Sequence, residues 1–141
     1  MRKNLKQYKQ IDRESSIIAS DPHTIISMLF NGIFDSISVA KGAIERKELE
    51  LKSQQISKAM SIVRSLQDCL DHESEPTISN NFSQLYGYCI ELLADASLAL
   101  DASILDEVYG LLKPLSEAWQ NIPNADKAEG LSLLKSKESA G

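Results

Sequence analysis

The chain has 141 residues, 43% hydrophobic and 25% charged, the balance of one folded domain with a sizeable core. Its net charge of −5 is unevenly spread: Arg2, Lys3, Lys6, Lys9 and Arg13 stand against Asp12 near the start, whereas Ser65 to Asp126 holds eleven acids and one base, Lys113. That acidic half argues against nucleic acid as the main partner, because phosphates select a basic face.

The acids read as a solvated outer face, and the basic N-terminus suits docking on it within the same molecule. No apolar run approaches the ~20 residues of a membrane span. The basic N-terminus is not followed by the ~7–15 apolar residues of a secretory leader. Cys69 and Cys89 lie far apart inside helical patterns and are expected as buried, reduced thiols.

In chain order, residues 1–20 form a polar arm with Leu5, Tyr8 and Ile11 at spacings that suit a short helix lying on another surface. Residues 21–122 carry four helical patterns, and residues 123–141 read as a mobile polar tail with at most a short helix around Leu131–Leu134. Asp21 suits an N-cap and Pro22 the first helical position, opening a helix to about Arg46. Its apolar side chains from Ile25 to Ile44 sweep roughly 240° at about 100° per residue. One packing contact needs little more than ~100°. Gly32 and Gly42 lie inside it, so packing must hold it together.

The second helix, about Leu49–His72, repeats Leu49, Ile56, Val63 and Leu70 every seven residues, with Ala59 and Leu66 as the second seam position. The third, about Ile78–Leu100, has a seam of Ile78, Phe82, Leu85, Cys89, Leu92, Ala96 and Ala99, and a second stripe of Tyr86, Ile90, Leu93 and Leu100. The fourth starts at Asp101 or Ser103 and turns Ile104, Val108, Leu111, Leu115 and Ala118 inward, flanked by Leu105, Leu112 and Trp119. Pro114 lies inside it and predicts a kink. Ile122-Pro123-Asn124 ends it. Long helices on short connections predict an all-α, antiparallel up-and-down four-helix bundle.

Such bundles often hold metals, but the Glu-x-x-His pairs of the di-iron type are missing: Ser20 precedes His23 and Cys69 precedes His72 at that spacing. Zinc needs a cluster of Cys and His, and nothing completes Cys69 and His72. His23 in a first turn and His72 at a helix end suit capping or solvent-facing imidazoles better than phosphotransfer. Gly-rich phosphate loops are absent and no nucleophile–base–orienter set can be assembled, so neither an enzyme nor a cofactor is expected. Binding remains. The second apolar stripes of the first, third and fourth helices point partly away from the central seam, and exposed apolar patches mark interaction sites.

Four segments carry a resemblance. They are Pro22-x-x-Ile25-Ile26-x-Met28-Leu29-Phe30-Asn31-Gly32, Lys58-Ala59-Met60-x-Ile62-Val63-x-x-Leu66, Asn81-Phe82-Ser83-Gln84-Leu85-Tyr86-Gly87-Tyr88, and Glu107-Val108-x-Gly110-Leu111-Leu112 with Glu117-Ala118-Trp119. With Tyr8 fourteen residues before Pro22, this set, in order from Tyr8 to Ile122, resembles the FliS family of flagellin-specific export chaperones. Gly87 departs from the usual acid or Asn, Glu91-Leu92 from a basic pair, Ala96-Ser97 from Ala-Asn and Tyr109 from Glu.

The resemblance implies a cytoplasmic chaperone that binds the disordered C-terminal segment of flagellin, prevents early polymerisation and presents its cargo to the export gate. It implies cargo contacts from Ile25, Met28, Leu29, Phe30, Tyr86, Ile90 and Leu93, with Trp119 equally suited to a structural place. It also implies an arm, centred on Leu5, Tyr8 and Ile11, that covers part of the groove when cargo is absent. The alternatives are a regulatory bundle that homodimerises through its surplus stripes and a histidine phosphotransfer bundle.

Overall fold

The computed structural model describes residues 22–70 and 76–121. The arm with Leu5, Tyr8 and Ile11, the cap at Asp21, His72 and the tail beyond Asn121 lie outside the described residues. Four helices make up the rest: α1 (Pro22–Glu45), α2 (Leu49–Asp68), α3 (Pro76–Ala99) and α4 (Ala102–Gln120). There is no strand among the described residues. α1 and α3 each pack on α2 and α4, so the four form a square with α1 diagonal to α3. This is the expected antiparallel bundle.

The core runs along the axis through Ile33, Ile37, Ile56, Val63, Cys89, Leu93, Leu105, Val108 and Leu112. Burying a large side chain of this kind contributes about 1.5–3 kcal/mol. α1 is long and apolar enough to cross a membrane by length and composition, although polar residues interrupt its apolar run. Its apolar side is turned onto α2 and α4.

Helix ends follow local chemistry. Pro76 opens α3, two residues earlier than the apolar pattern indicated, because proline's fixed φ suits a first helical residue. Asp101 caps α4 by accepting from Ser103 N at 2.9 Å. α1 and α3 both end with a left-handed residue, Lys47 (φ 60°) and Leu100 (φ 53°). Each is followed by a bond back to the last turn, Glu48 N to Ala43 O at 2.8 Å and Asp101 N to Ala96 O at 3.2 Å. α2 stops at Asp68 rather than His72, and α4 continues through Pro114 as one helix.

The seams of α3 and α4 are rotated from their expected positions. The centre of α3 is Ser79, Tyr86, Cys89, Leu93 and Ala96, while Ile78 and Ala99 are exposed. On α4 it is Leu105, Val108, Leu112 and Ser116, while Ala118 is exposed. A helix in a square packs on two neighbours, so its buried centre falls between two apolar stripes rather than on either one.

Candidate interaction surface

The wide arc of α1 serves two neighbours. On the α4 side, His23, Phe34 and Lys41 meet Trp119, Tyr109 and Asp106. On the α2 side, a Cβ at Gly32 would lie 3.1 Å from Ile62 Cδ1, a close approach that leaves little room there for a larger residue. Met28 and Val39 share that side of α1 with Gly32, at spacings of four and seven. Met28 is 51% exposed and Val39 is exposed as well, with Ile25 and Leu29 half-buried beside them. This edge is the apolar surface of α1 that the other described helices leave uncovered.

The eight groove residues expected from the sequence separate into four groups. Phe30, Tyr86 and Leu93 are 3%, 6% and 0% exposed and belong to the core. Tyr86 and Leu93 of the second α3 stripe are packed into the core, so together with Phe30 they present no surface to a partner in this bundle. Ile25, Met28 and Leu29 remain together on the α1–α2 edge. Ile90, half-buried on α3, lies on the helix diagonal to α1 and does not share a groove with them.

Trp119 has a structural place. Its ring stacks on His23 with centroids 5.0 Å apart, and its Nε1–H donates to the His23 carbonyl at 2.9 Å. His23 Nε2 in turn donates to the Trp119 carbonyl, satisfying an end carbonyl of α4. The pair ties the first turn of α1 to the last turn of α4, so the expected capping role of His23 is met on another helix. Lys52, buried and unremarked in the sequence, does the same for α3, with Nζ 3.1 Å from the Ser97 carbonyl.

Between α1 and α4 a cleft is lined by Phe34, Ile37, Ser38, Lys41, Asp106 and Tyr109. The Lys41–Asp106 pair closes at 2.6 Å, and the Lys113 ammonium sits over the Phe34 and Tyr109 rings at 5.4 and 5.8 Å. The Asp106 partner raises the Lys41 pKa. Across α3 and α4, the Tyr88 hydroxyl donates to Glu107 at 3.0 Å, and that bond raises the Tyr88 pKa.

Burial pushes the Cys89 thiol up to about 11 and raises the neighbouring Tyr86 phenol. Both shifts favour neutral side chains, the opposite of an activated nucleophile. Cys69 is half-buried rather than buried. The described residues hold no group of three or more His, Cys, Asp or Glu placed to bind a metal.

The described residues form an all-α four-helix bundle with an apolar edge exposed on α1. Residues 4–126 match the profile of the family described as flagellar protein FliS. The chain is 37% identical to the flagellar secretion chaperone FliS of Salmonella typhimurium, over 84% of this chain and 88% of that one. It is 35% identical to the flagellar secretion chaperone FliSB of Pseudomonas aeruginosa, over 85% and 95%. Against the flagellar secretion chaperone FliS of Vibrio cholerae it is 31% identical, over 87% and 90%. The chain belongs to the FliS family of flagellar secretion chaperones.

Proposed function

We propose that this protein acts in the cytoplasm as an export chaperone for flagellin. It binds the disordered C-terminal segment of unpolymerised flagellin, keeps that segment from assembling early, and delivers it to a component of the flagellar export gate. The observation that carries this reading is the family match over residues 4–126, together with relatives named as flagellar secretion chaperones. The exposed edge of Met28 and Val39, flanked by Ile25 and Leu29, gives an amphipathic segment an apolar surface to fold on.

The magnitudes are adequate. Ordering a disordered segment costs about 2–5 kcal/mol. Each large apolar side chain it buries returns about 1.5–3 kcal/mol. A few such anchors leave a surplus for binding. The arm with Leu5, Tyr8 and Ile11 serves as an internal competitor for part of this surface, displaced when cargo arrives.

Calorimetry of the full chain with a flagellin C-terminal peptide tests the reading. One-to-one binding with a negative heat-capacity change is expected. Absence of binding heat, and of co-elution of the peptide with the protein, would refute it.

A further inference from the structure

The end of the bundle that carries the α1–α2 and α3–α4 connections displays leucine. Leu98, in the last turn of α3, is 86% exposed; Leu100 is 43% exposed, and Leu49 at the start of α2 is also exposed. The Lys52–Ser97 contact brings these two helix ends together. Leu100 also holds the left-handed conformation, which costs a residue with a Cβ about 1–2 kcal/mol and which helix ends usually give to glycine. Three exposed leucines at one end of the bundle give that end an apolar surface.

On the α3 side the rim is acidic, while Arg46 and Lys47 stand beside Leu49 at the α1–α2 connection. Glu91 and Asp95 share a stripe with Leu98 at spacings of seven and three, and Asp101 follows Leu100. No Lys or Arg stands between Arg64 and Lys113. Two copies meeting through the α3 side of this face would set acid against acid. The α3 side therefore selects a segment that combines leucine with lysine.

The chain carries one: Leu131-Ser132-Leu133-Leu134-Lys135-Ser136-Lys137. α4 leads away from the patch for 19 residues, about 28 Å at 1.5 Å per residue. The residues from 122 to 131 span about 33 Å when extended, enough to return along α4. We propose that residues 131–137 dock on the patch of their own molecule, with Leu131, Leu133 and Leu134 against Leu98 and Leu100, and Lys135 and Lys137 toward Asp95 and Glu91. The contact closes within one chain and does not depend on the cargo.

NMR of the full chain tests it. Changing Leu131, Leu133 and Leu134 together to Ser is expected to shift the Leu98 and Leu100 resonances and speed amide exchange at Asp101 severalfold, leaving Val63 and Leu105 unmoved. Reciprocally, Leu98→Ser is expected to shift the Leu131 and Leu133 methyls. Unmoved Leu98 and Leu100 signals overturn the proposal. So does a shift that grows with protein concentration, which places the contact between copies. If deleting residues 1–18 moves the patch while the tail change does not, the occupant is the arm and the proposal also fails.

Discussion

At the scale of single residues, exposure separates surface from core more sharply than chemistry does. Met28 and Leu93 are both large and apolar, yet one is half open to solvent and the other sealed. Leu93→Ala is expected to destabilise the bundle by about 2–5 kcal/mol in urea denaturation. Met28→Glu is expected to change stability by less than about 0.5 kcal/mol. On the proposed edge it should nevertheless weaken flagellin-peptide binding at least tenfold, a loss of about 1.4 kcal/mol; unchanged affinity would remove Met28 from the binding surface. Ser36 supplies a different test. Its hydroxyl is buried in α1 without a hydrogen-bond partner, a state that costs roughly 1–3 kcal/mol. Ser36→Ala is therefore expected to raise stability by about 1 kcal/mol, helped by alanine's helix propensity. A loss of stability would mean that the hydroxyl fills space the core needs.

Whole helices were legible in the sequence because a period near 3.6 survives every local departure: four were expected and four are found among the described residues, with ends displaced by a few residues. Their rotation was not legible. Tyr86 and Leu93 stand one place from Leu85 and Leu92 of the expected seam, and sequence spacing cannot tell a second packing face from a surface stripe. That distinction requires knowing that α3 touches both α2 and α4. The tertiary bonds of His23 and Lys52 were equally hidden, since each caps a helix far away in sequence, 96 and 45 residues from its own position. Among the elements, the clasp between α1 and α4 is the one most open to dissection. Trp119→Phe keeps a ring on His23 but deletes the donor to its carbonyl, so it should cost about 1 kcal/mol. His23→Ala made alone and in the Trp119→Phe background should show non-additive losses in thermal denaturation, because the two residues share one contact. Additive losses would show the rings to be packed independently.

At the scale of the molecule, the two ends of the bundle differ. The His23–Trp119 clasp lies where α1 begins and α4 ends, so the basic arm and the tail both leave from that end. The arm precedes Pro22 directly, and Met28, two turns into α1, is among the first apolar side chains it would pass. An arm laid over the Met28 edge competes with cargo, and only the uncovered fraction of molecules binds. Apparent affinity is then reduced by that fraction. Deleting residues 1–18 is expected to tighten flagellin-peptide binding in calorimetry, by about tenfold if the arm covers the edge nine-tenths of the time. Because the deletion also bares an apolar edge, self-association of the free protein should rise in light scattering. Peptide should suppress that rise, since both processes use the same surface. Unchanged affinity with unchanged scattering would leave Leu5, Tyr8 and Ile11 no part in covering the edge, and peptide binding by the shortened chain would show that the edge itself still takes cargo.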